Sequence, residues 1–191
     1  MENAVETTQT GTLPALTLVL GGARSGKSRH AETLVLGHAE AIGQQPVYIA
    51  TAEARDGEMA ERIAEHRARR GDTWRTEEAP QALSDALAGC AISDQPILID
   101  CLTLWLTNIM LAELDIAAET ASLLDSLGRA TGPVVCVANE VGLGIVPDNA
   151  LGRAFRDQAG HLNQQVAARA DRVDFIAAGL PITLKTLSQT G

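Results

Sequence analysis

Lysine is nearly missing from this 191-residue chain, occurring only at Lys27 and Lys185. Aromatic residues make up 3%, so a buried core has to be aliphatic, built from Leu, Val, Ile and Ala. Cysteine occurs three times, at Cys90, Cys101 and Cys136, with no CxxC pair. An odd count without metal-like spacing argues against a disulfide framework and predicts buried free thiols in a reducing compartment. Excess positive charge is also lacking. The formal net charge is −9, the wrong sign for a general polyanion binder, so nucleic acid is not an expected partner. No apolar run approaches the ~20 residues of a membrane span. The first 14 residues have neither a basic start nor an apolar stretch, so they do not read as a signal peptide. A cytoplasmic chain with no membrane span is expected.

What is present is an ordinary globular composition, 46% hydrophobic. Residues 1–14 are polar and read as a disordered tail, and 15–191 as a single domain. Leu16 to Leu20 is a short continuous apolar run, followed at once by a glycine-rich loop and a predicted helix over 26–42. Further apolar runs begin at Pro46, Pro96 and Pro133. Residues 57–70, 103–114, 117–130 and 149–170 read as helices. Asp72 to Glu78 is expected to hold a short strand, and Pro80 to open a helix reaching about Ala91. The last strands are expected at Val173–Ala177 and Ile182–Lys185. Apolar strands alternating with helices predict an α/β fold with a mainly parallel sheet covered on both faces.

The loop reads Gly21-Gly22-Ala23-Arg24-Ser25-Gly26-Lys27-Ser28. Its glycines allow the backbone to wrap phosphates, and its N–H groups and the following helix N-terminus face the anion. Lys27 is placed to reach the β- and γ-phosphates and Ser28 to offer a hydroxyl to Mg²⁺. One of only two lysines in the chain sits here. Strand, loop and helix in this order predict a P-loop NTPase fold of the RecA-like kind. Asp100 ends an apolar strand, as the Mg²⁺-organising acid of such proteins does. Ligands gather at the carboxyl ends of strands in these sheets, which puts Thr51, Asp100, Asn139 and Glu140 on the loop's side.

Among the four histidines, His66 stands in the most distinctive setting. On a helix, Arg62, His66, Arg69 and Arg70 share one face. Their mutual repulsion is a cost that an anionic ligand would relieve. Neighbouring arginines favour neutral imidazole, the form able to attack phosphorus. The same residues also fit a solvated basic face near a helix C-terminus, and the residues alone do not separate the two. His30, His38 and His161 read as surface or packing residues.

The string Gly21 to Glu32 resembles the bifunctional adenosylcobinamide kinase/adenosylcobinamide-phosphate guanylyltransferase family of cobalamin synthesis. The likeness continues through Val47 to Thr51, through Glu58 to Thr76 with His66, and through Asp100-Cys101-Leu102-Thr103 with Thr107-Asn108. It extends to Asn139 to Pro147, then to Arg153, Phe155 to Asp157, Gly160 and Asn163-Gln164. The loop is shared by many families, whereas its combination with the histidine segment and NEVGLGIVP is specific.

The resemblance implies phosphorylation of adenosylcobinamide with ATP or GTP. It further implies transfer of GMP from GTP to adenosylcobinamide phosphate through a GMP–histidine intermediate at His66, with Mg²⁺ and a homotrimeric assembly. It places nucleotide contacts on Gly21, Gly22, Ala23, Arg24, Ser25, Gly26, Lys27 and Ser28. Further contacts fall on Ala50, Thr51 and Ala52, on Arg67, Ala68, Arg69 and Arg70, and on Glu78 and Asp100. Lys27 joins His66 as a catalytic residue, and Ser28 and Asp100 would serve the metal. Two positions depart from the family pattern. Glu65 stands where many members have His, and Asp100 where some have the longer Glu. A plain small-molecule kinase and a nucleotide-switched binding protein are alternative readings of the loop alone.

Overall fold

The structure, a computed structural model, describes residues 12–54, 57, 61, 64, 67, 68, 70–91 and 94–186. Its seven strands are β1 (Leu16–Gly21), β2 (Val47–Ala50), β3 (Arg75–Glu78), β4 (Ile97–Asp100), β5 (Val134–Asn139), β6 (Arg172–Ala177) and β7 (Leu180–Thr186). They form one sheet in the order β3-β2-β4-β5-β1-β6-β7. Every neighbouring pair is parallel except β6 and β7, which form an antiparallel hairpin. The five helices with defined bounds are α1 (Lys27–Ile42), α2 (Leu83–Cys90), α3 (Leu102–Leu111), α4 (Ile116–Arg129) and α5 (Ala150–Arg169).

The period of two along a strand sorts the apolar runs onto two faces. Leu18, Ile49, Ile99 and Cys136 face one cluster with Leu83 and Leu87 of α2, Trp105 of α3, Leu123 of α4 and Val166 of α5. Their sequence neighbours Val19, Tyr48, Leu98 and Val135 face the other cluster, with Ala31 and Val35 of α1 and with Trp74. Because both faces are covered, the central strands are apolar at nearly every position rather than alternating. At the sheet's edge β3 reads Arg-Thr-Glu-Glu and is largely exposed, a charged edge that resists further strand pairing.

Several expected bounds move: the helix expected over 103–114 runs Leu102–Leu111, and the last strand runs Leu180–Thr186. The helix expected at Pro80 begins at Leu83. The carbonyls of Pro80 and Gln81 are already taken, by Asn108 Nδ2 at 2.9 Å and Trp105 Nε1 at 2.8 Å, which holds this stretch in a turn. The strand expected within Asp72 to Glu78 starts at Arg75, after a 3-10 turn over Gly71–Thr73. Leu13, inside the expected tail, packs beside the α1 cluster, and its N–H donates to His38 Nδ1 at 3.2 Å.

Candidate nucleotide site

β1 is buried along its whole length and delivers the chain to Gly21 at the carboxyl edge of the sheet. There the backbone is crowded. A Cβ on Gly21 would stand 2.7 Å from the carbonyl oxygen of Ile176 and 2.5 Å from Ser25 Oγ. Gly26 has φ +95°, left-handed backbone that side chains avoid, and a Cβ there would lie 3.2 Å from Gly179 Cα. The N–H of Ser25 donates to Gly22 O at 3.3 Å, and the N–H of Gly179 donates to Ser25 O at 2.8 Å. The β6–β7 turn therefore braces the loop from behind. Lys27 Nζ donates to Gly22 O at 3.2 Å, on the loop's own backbone.

Parallel register aligns the other strand ends with the loop. Gly21 pairs with Asn139, and Ala50 with Asp100. Side chains then tie these ends together. Thr51 Oγ1 exchanges hydrogen bonds with the N–H and carbonyl of Cys101, each at 2.8 Å. Asn108 Nδ2 donates to Thr51 O at 2.8 Å. Thr103 Oγ1 accepts from the N–H of Asn139 at 2.7 Å, and Asn163 Nδ2 donates to Asn139 O at 3.2 Å. Thr103, Asn108 and Asn163, which the sequence could mark only through resemblance, thus hold the floor of the site in shape.

Asp100 lies at the centre. Ser28 Oγ donates to its Oδ1 at 3.4 Å, and Tyr48 Oη donates to its Oδ2 at 2.6 Å. A hydroxyl and a carboxylate side by side are hard oxygen donors. They suit Mg²⁺, which keeps several waters and takes phosphate oxygens as its remaining ligands. Among the described residues no group of three or more His, Cys, Asp or Glu side chains gathers to hold a metal. Burial raises the Tyr48 phenol far above its ordinary pKa, and the Asp100 charge and hydrogen bond add to the rise. This phenol is a fixed proton donor to Asp100.

Of the remaining expected residues, Arg70 is buried, with its guanidinium carbon 3.9 Å from the Tyr48 ring centroid. Arg67 and Glu78 are both exposed and pair with each other. Gly57, Glu61, Ala64, Arg67, Ala68 and Arg70 are helical. His66, Arg62, Glu65 and Arg69 lie outside the described residues. Glu140 folds back on its own turn, accepting from the N–H of Gly142, while its N–H donates to Gly21 O at 3.1 Å. Beyond it Leu143, Ile145 and Val146 form an apolar stretch exposed at 83%, 97% and 60%. The described helices include none long and apolar enough to cross a membrane.

Comparison with known proteins shows the family and the fold. The model of a family described as cobinamide kinase / cobinamide phosphate guanyltransferase matches residues 17–184. The "Bifunctional adenosylcobalamin biosynthesis protein CobP" of Pseudomonas aeruginosa is 51% identical over 172 residues, covering 88% of this chain and 96% of that protein. The "Bifunctional adenosylcobalamin biosynthesis protein CobU" of Salmonella typhimurium is 42% identical over 185 residues, covering 88% of this chain and 98% of that protein. Among solved structures, the flagellar accessory protein FlaH of Methanocaldococcus jannaschii superposes with a TM-score of 0.51 at 14% identity, covering 92% of this chain and 80% of that one. A solved ATPase domain superposes with a TM-score of 0.54 at 12% identity, covering 91% and 77%. These two likenesses concern the fold, which is that of the P-loop NTPases.

Proposed function

Because the chain belongs to the cobinamide kinase / cobinamide phosphate guanyltransferase family, we propose that it is a bifunctional enzyme of cobalamin biosynthesis. In the first reaction it phosphorylates the aminopropanol hydroxyl of adenosylcobinamide with ATP or GTP. In the second it transfers GMP from GTP to adenosylcobinamide phosphate, giving adenosyl-GDP-cobinamide and pyrophosphate. The observation that carries the reading is a family match along residues 17–184 that spans a formed phosphate loop facing Asp100.

Phosphoryl and nucleotidyl transfer depend chiefly on positioning and charge neutralisation. The N–H groups of residues 21–28 would cradle the phosphates, and Lys27 would move from Gly22 O onto the β- and γ-oxygens. Ser28 and Asp100 would hold Mg²⁺, whose bound charge would neutralise the triphosphate. For the guanylyl step, neutral His66 would attack the α-phosphorus of GTP. A P–N bond forms, the bond to the bridging oxygen breaks and pyrophosphate leaves. An oxygen of cobinamide phosphate then takes the GMP, and the P–N bond breaks. Arg62, Arg67 and Arg69 would neutralise charge as it develops. The exposed Leu143, Ile145 and Val146 support association of copies, and a cytoplasmic homotrimer is the proposed state, checked by light scattering on the eluted protein.

The test is chemical. Incubation with GTP labelled at its α-phosphate should give a protein-bound label that is stable to base and labile to acid. Adding adenosylcobinamide phosphate should discharge it as GDP-cobinamide. A His66→Asn protein that still takes up the label would overturn the assignment of the nucleophile.

A further inference from the structure

Tyr48 is the only tyrosine in the chain, and its place in β2 gives it three partners at once. Its ring meets Trp74 edge-on, with centroids 5.4 Å apart and planes at 89°. The Arg70 guanidinium lies over its face at 3.9 Å. Its hydroxyl donates to Asp100 Oδ2 at 2.6 Å. A buried phenol needs an acceptor, but this one takes the carboxylate that also faces Ser28. The contact is short, as expected for a bond to an ionised acceptor. A phenylalanine would fill the same space against Trp74 and beneath Arg70, so the hydroxyl's contribution falls on Asp100. With Oδ2 held by Tyr48, Oδ1 is the oxygen left turned toward Ser28.

We propose that Tyr48 is a positioning residue that sets the Asp100 carboxylate for a divalent cation–nucleoside triphosphate complex. Arg70, stacked on the same ring, ties that setting to the helical segment that includes Arg67 and Ala68. The inference rests on the reading of Ser28 and Asp100 as the metal end of the site. Outer partners that orient a ligating carboxylate are commonly worth roughly 10- to 100-fold in metal affinity.

The single tyrosine makes a direct test possible. Growth on 3-fluorotyrosine labels Tyr48 alone, and fluorine NMR follows it in the full chain bound to a non-hydrolysable GTP analogue. Adding Mg²⁺ after chelator should shift the resonance, and should not shift it in Asp100→Asn. In parallel, Mn²⁺ binding to the protein–analogue complex is measured by electron paramagnetic resonance. Tyr48→Phe should weaken Mn²⁺ roughly 10-fold or more, leaving analogue binding in chelator unchanged. An unmoved fluorine line, or unchanged Mn²⁺ affinity in Tyr48→Phe, overturns the proposal. Should Tyr48→Phe fail to fold, the fluorine experiment decides by itself. If Asp100→Asn retains full Mn²⁺ affinity, the underlying reading of the site is what fails. Arg70→Met should weaken Mn²⁺ as well, and adding it to Tyr48→Phe should cost less than the sum of the two. Fully additive losses would sever the link between Arg70 and Tyr48.

Discussion

His30 Nε2 lies 2.9 Å from Asp174 Oδ2, joining the first turn of α1 to the middle of β6. Asp174 is fully buried, and Arg172 and Thr183 also donate to it, at 3.0 to 3.1 Å and 3.0 Å. Burial alone would raise its pKa. The bonds from His30 and Arg172, the Arg172 charge and the Thr183 hydroxyl together outweigh burial and hold the carboxyl below its ordinary value. The helix that begins at the phosphate loop is therefore anchored to the sheet through a buried ionised acid.

A depressed folded-state pKa stabilises the fold above the unfolded-state value, and that gain is lost as pH falls through the folded value. Asp174→Asn should remove about 1–3 kcal/mol at neutral pH, the cost of leaving buried partners poorly satisfied. Its deficit relative to the native chain should shrink in acid, below the ordinary carboxylate value of 3.8. Urea unfolding across a pH series measures both effects. A deficit that stays constant into acid would show that the charge is not what His30 and Arg172 hold.

Gly26→Ala should impair the loop more than the chain. The left-handed backbone costs a side chain about 1–2 kcal/mol, and the added methyl would press on Gly179 at 3.2 Å. Calorimetric titration with GTP and Mg²⁺ should show affinity reduced by more than that strain alone predicts. Loop N–H groups displaced by a few tenths of an ångström no longer converge on the phosphates. Wild-type affinity in Gly26→Ala would mean that the brace from the β6–β7 turn does not shape the loop.

The three thiols should be inert while the chain is folded. All are buried and free. Burial pushes Cys101 and Cys136 up to about 12 and raises Cys90 as well. Thiolate is the reactive form. Iodoacetamide at mildly alkaline pH should therefore leave the native protein unmodified by mass spectrometry and add three groups in denaturant. Rapid labelling of Cys101 in the native state would show that the strand end beside Asp100 opens to solvent.

Much of the site was legible because its signals are local. The loop's residues are consecutive, and β1, β2, β4 and β5 are apolar at nearly every position, which is the mark of strands buried on both faces. Asp100 could be placed because a strand's carboxyl end has a defined side. Partnerships across long separations could not be read. Tyr48 is 52 positions from Asp100, and His30 is 144 from Asp174. His30 looked like a surface or packing residue because nothing near it in sequence announces an acid on β6. Helical spacing puts Arg70 on a basic face with Arg62, His66 and Arg69, yet its side chain is buried over the Tyr48 ring. The helix expected from Pro80 starts three residues later because α3 supplies donors to the carbonyls of Pro80 and Gln81, a tertiary contact that no capping rule contains.

The hydrogen bond from Gly179 to Ser25 also bears on when this protein can begin to work. The loop at residues 21–28 is synthesised well ahead of Gly179, which braces it. At a translation speed of about 5–20 residues per second, residues 21–28 wait many seconds for residue 179. During that interval the nascent chain holds every loop residue and lacks the support that shapes them. Competence for nucleotide is thereby deferred until residue 179 has emerged, and chains released before Gly179 should be unable to retain GTP.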